Sequence, residues 1–413
     1  MHDIVHDFLQ FLTKNECFML DAQGKNRIEL PVGNKFRYLT VTDALKGPFL
    51  VSLDTGESLR TLATFNCEIV TLNPEFVLQL NRLRTLNLRN NRMEQLPDEV
   101  GGLMHLRYLD LSGNKWKKLP DSLCNLINME TLRLEEREVL EELPDGMGKL
   151  TNLRHLHVKK SDALKLPKSI AKLTSLQTLD QVNIFGDGFH LCDLRNMDQL
   201  QGKLLINWKG PVFDGAKKAN LVNKKHLVSL TLRLWGGESD EMLNALQPNP
   251  NLESLQIQRY SGNTLCPNWM SMSLNNLRYL AMPSKVKKLG FEYSQLDSFS
   301  SSSSSLELTL FPYLKTLVLK GLLECEEREG IPAGLPLEDA APEFEHRYHG
   351  CVYGSHTVTK TEEAWSGARS LTSQTSKLME SLYKKTESGS NKKKKKIDFI
   401  MSPQPICCFI LSV

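Results

Sequence analysis

The 413-residue chain has no C-x-x-C pair and no G-x-x-x-x-G-K-[ST] loop, and no stretch reaches the run of about 18 apolar residues that a membrane span needs. Its nine cysteines, at 17, 67, 124, 192, 266, 325, 351, 407 and 408, are odd in number and lack the spacing of a disulfide framework, which suits a reducing compartment. With no loop to cradle a phosphate, no nucleotide or other cofactor is expected. Asp3 and Asp7 stand where a secretory signal needs a basic start, so the expectation is a cytoplasmic protein without stable membrane insertion. The 51 Lys+Arg against 48 Asp+Glu give a net charge of +3. Lys392 to Lys396 supply five of the positive charges, so the remainder is slightly acidic and no nucleic-acid partner is expected.

What is present is a period. LRTLNLRNNRMEQLPDEVGGLMH starts at Leu83, LRYLDLSGNKWKKLPDSLCNLIN at Leu106, METLRLEEREVLEELPDGMGKLTN at Met129 and LRHLHVKKSDALKLPKSIAKLTS at Leu153, spacings of 23, 23 and 24, and LQTLDQVNI follows from Leu176. Each unit carries Leu or Met at positions one, four and six, with Val158 taking the sixth once, and then Leu-Pro at 96–97, 119–120, 143–144 and 166–167.

This resembles the leucine-rich repeat. A short strand turns Leu86 and Leu88 inward and Asn87 and Arg89 outward by its period of two, and Pro97 ends pairing and sends the chain across the convex side. One unit cannot bury its own leucines, so units must stack. The fold class expected is an α/β solenoid, a leucine-rich-repeat horseshoe of about ten units. Weaker copies begin at Leu59, Leu227, Leu252, Leu277 and Leu314, Arg37 opens the first strand, and one irregular unit surrounds Leu204 and Ile206. The ninth position, where Asn would bond neighbouring backbones, reads Asn91, Asn114, Arg137, Ser161 and Ile184, an incomplete ladder. Ser298 to Ser305 read as a flexible loop, and Thr361 to Lys385 as one amphipathic helix.

The first eighteen residues, MHDIVHDFLQFLTKNECF, followed by an irregular LPxxI-type array, resemble the plant intracellular immune receptors of the coiled-coil, nucleotide-binding, leucine-rich-repeat class. The resemblance covers roughly residues 1 to 325. In that family Met-His-Asp closes the nucleotide-binding module at the end of its winged-helix part. The resemblance implies that His2 senses the nucleotide's phosphate and that Asp3 orders the loop around it. Read physically, Asp3 is an N-cap for a helix with Ile4, Val5, Phe8, Leu9 and Leu12 on its apolar face. With the phosphate loop missing, the motif is expected to be idle, and the chain reads as a truncated receptor or an incomplete gene model. The domains expected are a remnant of the nucleotide-binding module over 1–25, the repeats over 26–330 and a disordered tail with its lysine run over 331–413. That tail reads alternatively as non-coding sequence.

The resemblance implies a non-enzymatic role in defence: protein recognition and autoinhibition, with a pathogen effector, a guarded host protein or the nucleotide-binding module in trans as partner. A general signalling scaffold outside immunity is the alternative. Strand alternation puts Thr85, Asn87, Arg89, Tyr108, Asp110, Thr131, Arg133, Glu135, His155, His157 and Lys159 on the concave face. Of these, Arg89, Asp110, Arg133, Glu135, His155, His157 and Lys159 are the expected partner-binding residues, and Arg133, Glu135, His155, His157 and Lys159 are expected to form one mixed but mainly basic patch. Two zinc readings are weaker. His2-Asp3-Ile4-Val5-His6 is one methylene short of H-E-x-x-H, and His155 and His157 share a side but lack a third ligand in sequence. Lys392 to Lys396 offer nuclear entry, or a solvated end.

Overall fold

Side chains two apart on an extended strand share a face, and in the computed structural model the leucines so placed are the buried ones. Leu106, Leu109 and Leu111 are fully enclosed, as are Met129, Leu132 and Leu134 in the next unit. Each enclosed leucine contributes about 1.5–3 kcal/mol, but only against the leucines of neighbouring units, so the array is stabilised by stacking. The structure describes residues 16–22, 27–29, 36–44, 47–52, 58–65, 67–136, 140–209, 216–235, 240–260, 264–265, 267–270, 274–282, 288–289, 313–319, 327–328 and 337–338. The chain divides into Met1–Glu343 and Phe344–Val413, and every described residue lies in the first unit.

Eight parallel strands follow one another in chain order: Cys17–Asp21, Tyr38–Thr42, Thr61–Phe65, Thr85–Asn87, Tyr108–Asp110, Thr131–Arg133, His155–His157 and Thr178–Leu179. A seven-stranded parallel sheet continues through Gln181–Ile184, Gln201–Lys209, His226–Trp235, Ser254–Gln258, Tyr279–Met282, Thr316–Leu319 and Leu337–Glu338. Every connection is a crossover to a parallel neighbour, as expected of a leucine-rich-repeat solenoid. After each regular strand, Pro97, Pro120, Pro144 and Pro167 precede short 3-10 turns at Asp98–Gly102, Asp121–Asn125, Asp145–Lys149 and Lys168–Lys172. Proline fits there because its fixed φ suits the turn entry and no ladder partner is owed an N–H.

Three expectations change. Among the described residues the first strand is Cys17–Asp21, ahead of the one at Arg37, and it lies inside the segment assigned to the 1–25 remnant. Phe18 and Leu20 pack on the core in place of paired leucines, with Phe18 stacked 4.6 Å from Phe36, so the repeat signature is absent where the edge strand is present. At the other end Leu337 and Glu338 pair with Leu317 and Val318, past the boundary at 330. The Asn ladder runs further than the ninth position implies. Asn183 donates to the carbonyls of Ser161 at 2.7 Å and Leu164 at 2.9 Å, Asn207 donates to Asn183 Oδ1 at 3.1 Å, and Ser161 donates to the Leu134 carbonyl at 3.2 Å. Gln181–Ile184 forms a strand where earlier units turn, which moves the amide to the eighth position.

That turn is itself a rule of the array. The eighth residue of the regular units has left-handed backbone: Asn90 (φ 56°), Gly113 (65°), Glu136 (60°) and Lys160 (61°). The chain must reverse tightly there to leave the strand, and the conformation outweighs the side chain's preference. His2, Asp3, the helix from Ile4, Ser298 to Ser305, Thr361 to Lys385 and Lys392 to Lys396 lie outside the described residues. Among the described residues, no helix is long and apolar enough to cross a membrane.

Candidate functional site

Parallel register brings the fifth position of successive units side by side. Asp110 aligns with Arg133, and Arg133 with His157. The side chains therefore meet with acidic groups set beside Arg133 and His157. Arg133 Nε lies 3.5 Å from Asp110 Oδ2, its Nη2 donates to Glu135 Oε1 at 2.6 Å, and His157 Nδ1 lies 3.1 Å from Asp180 Oδ2 and 3.9 Å from Glu135 Oε1.

Two of the three carboxylates are fixed from behind. Asp110 Oδ1 accepts from the Ser112 N–H at 2.9 Å, and Asp180 Oδ1 from the Val158 N–H at 2.8 Å. Tyr108 O–H reaches Asp110 Oδ2 at 3.4 Å, and burial first, then the Asp110 charge, pushes the phenol's pKa well up, so it stays a proton donor. His155 pairs through Nδ1 with Thr178 Oγ1 at 3.0 Å and stacks on His157 at 6.4 Å. Burial lowers its pKa from the ordinary 6.5, helped by His157 and Arg154 and opposed by Glu130.

The strand face that holds these residues differs in charge from the expectation. Asp110, expected among the exposed binding residues, is only 3% exposed and holds the Ser112 N–H and Arg133. Charge is also balanced rather than mainly basic: Arg133 is spent on Asp110 and Glu135, and Arg89 faces Glu136 at 3.7 Å. Alternation tells which residues face out, not which neutralise one another. Lys159 is exposed and has no ion pair among the described residues. His155 and His157 do not form a two-histidine pair for a metal, since His155 is taken by Thr178 while His157 has two carboxylates.

Asp180 was not among the expected residues. Extending the fifth-position row Asn87, Asp110, Arg133, His157 by one unit finds it. A second group of outward side chains centres on Trp235, with Arg259 3.8 Å and Lys209 5.0 Å from the ring centre and the indole N–H donating to Asn207 Oδ1 at 2.8 Å.

The family model for a leucine-rich repeat region matches residues 37–128 and 58–295, and the chain belongs to that family, whose parallel-strand surfaces serve protein interaction. No curated protein matches the sequence. Among solved structures, the functional domain of InlJ from Listeria monocytogenes is 14% identical with a TM-score of 0.46, over 72% of this chain and 53% of its own. This chain thus spans about half of that one's length. The internalin inlF from Listeria monocytogenes str. 4b F2365 is 18% identical with a TM-score of 0.42, over 61% and 76% of the two chains. PEPR1 in its complex with AtPEP1 is 21% identical with a TM-score of 0.42, over 60% and 36%.

Proposed function

We propose that the chain is the recognition and autoinhibitory region of a plant intracellular immune receptor of the coiled-coil, nucleotide-binding, leucine-rich-repeat class, acting by protein contact in the cytoplasm and without catalysis. The partner on this reading is a pathogen effector, a guarded host protein or the nucleotide-binding module in trans. No nucleotide, cofactor or nucleic acid takes part, and His2 and Asp3 are idle. The observation that carries the reading is the juxtaposition of MHDIVHDFLQFLTKNECF, Met1 to Phe18, with an irregular leucine-rich array.

The contact surface on this reading is the outward strand face holding Arg89, Arg133, Glu135, His155, His157 and Lys159. Strands already hydrogen-bonded on both sides lose little entropy when they bind, which favours them over loops. Arg133 is unsuited to charge reversal, because a carboxylate there would face buried Asp110 and Glu135 and threaten the fold. The variant that tests the face is Arg89→Glu with Lys159→Glu, measured by co-precipitation with the nucleotide-binding module of a full-length relative, with circular dichroism as folding control. Weakened capture supports the reading. Undiminished capture by the folded variant moves recognition off this face. A general scaffold outside immunity remains the competing reading, and an in-frame phosphate-binding loop in the genomic DNA upstream of Met1 decides against it.

A further inference from the structure

We propose that Glu135, His157 and Asp180 form a divalent-cation site of the kind taken by Zn2+, with one ligand from each of three successive repeats. One donor atom from each lies within 4.8 Å of the other two, and all three side chains are half-buried. A tetrahedral zinc with bonds of roughly 2.0–2.1 Å holds its ligand atoms about 3.3 Å apart. The 3.1 Å from His157 Nδ1 to Asp180 Oδ2 and the 3.9 Å to Glu135 Oε1 bracket that separation, and the two carboxylates, within 4.8 Å of each other, close on an ion by rotamer adjustment.

The donors are also held for the task. The Val158 N–H fixes Asp180 through Oδ1 and leaves Oδ2 facing the imidazole. The stacked ring of His155, tied to Thr178, limits rotation of His157. Orienting partners of this sort set metal affinity as much as the ligands do. A cation at Nδ1 takes the place of the proton now shared with Asp180, and that imidazole proton resides on Nε2 in the bound form. Arg133 opposes the ion, because its guanidinium holds Glu135 Oε1 at 2.6 Å. A carboxylate has two oxygens, so Arg133 passes to Oε2 while Oε1 turns to the metal, and the nearby positive charge holds the affinity below that of the same donors without it.

Three protein ligands leave a tetrahedral ion one open position, on the outward face of the strands. A carboxylate or imidazole from a docked protein fits that position and would make recognition metal-dependent. Only this last step rests on the proposed recognition role; cation binding is independent of it.

The test is Zn2+ titration of the full chain by calorimetry, comparing the parent with His157→Ala, Asp180→Asn and His155→Ala. The cysteines bind zinc as a background common to all four proteins, and Cys67 and Cys124 contribute least because burial raises their pKa and keeps them as thiols. The parent is expected to bind one equivalent more than His157→Ala. Asp180→Asn, which keeps the oxygen that Val158 needs, is expected to weaken that equivalent about tenfold or more. His155→Ala keeps the equivalent but binds it more weakly than the parent, because the ring that limits rotation of His157 is gone. Equal stoichiometry in folded parent and His157→Ala, or an Asp180→Asn affinity matching the parent, overturns the site. Neither result touches the co-precipitation test, which is run with and without chelator so that the two readings fail separately.

Discussion

Asn114 donates from Nδ2 to the Leu88 carbonyl, 2.7 Å away in the preceding repeat, and to its own unit's Leu111 carbonyl at 3.0 Å. Its Oδ1 accepts from the Met93 N–H at 3.2 Å, so one enclosed amide ties two turns together. With the Ser112 carbonyl at 3.3 Å, Asn114→Ala strips four backbone groups of this partner inside the core. The Met93 N–H loses the Oδ1 acceptor, while the Leu88 and Leu111 carbonyls keep Asn91 and Trp116. The expected cost is about 2–3 kcal/mol, read as a shift of the urea midpoint. A change below about 0.5 kcal/mol would show that water replaces the amide there.

Gly148 lies where one convex turn meets the next. A Cβ on it would sit 2.5 Å from the Ser169 carbonyl oxygen and 3.0 Å from Ser169 Cβ. The obstacle is backbone and cannot rotate away. Gly148→Ala is expected to destabilise by about 1–3 kcal/mol in thermal or urea unfolding, while Gly102→Ala, which meets nothing within 4 Å, serves as the mild control.

Lys160 holds a left-handed backbone at φ 61° for the sake of the turn. Its ion pair with Glu136, 3.3 Å long, is exposed and contributes little. Lys160→Gly should therefore leave stability unchanged or raise it, whereas Lys160→Val, β-branched at the same φ, should fall about 1–2 kcal/mol below the glycine variant. Equal stability of the two variants would mean that the turn relaxes to another conformation.

The lowered pKa of His155 makes stability depend on pH in a set direction. The folded chain binds this proton less readily than the unfolded one, so the contribution is complete above the ordinary value of 6.5 and is lost as pH falls below it, levelling off below the folded-state value. His155→Gln, which keeps a hydrogen-bonding group near Thr178, should flatten that part of the acid limb. Unfolding midpoints at several pH values between about 7 and 5 measure it.

Inward and outward facing was legible because it is a property of one strand: alternation put Leu109 and Leu132 in the core and Arg133 and His157 outside whatever lay next to them. The repeat period and the Leu-Pro exits were equally local, since proline's ring acts on its own φ. Edge strands were not, because pairing at Cys17–Asp21 and Leu337–Glu338 uses backbone groups that carry no residue signature. Nor was the ladder after Ser161, where Gln181–Ile184 stays extended and Asn183 reaches its carbonyls one position early.

The sequence by itself determined that Asp110, Arg133, Glu135 and His157 belong to one face. Only the tertiary structure decided that Asp110 is buried, that Arg133 is neutralised from two sides and that Asp180 joins Glu135 beside His157. The physical reason is distance. Glu135 apart, which reaches Arg133 from two residues along its own strand, the charged partners come from another repeat more than twenty residues away, so register between units, which no single unit encodes, decides which groups come within 4 Å.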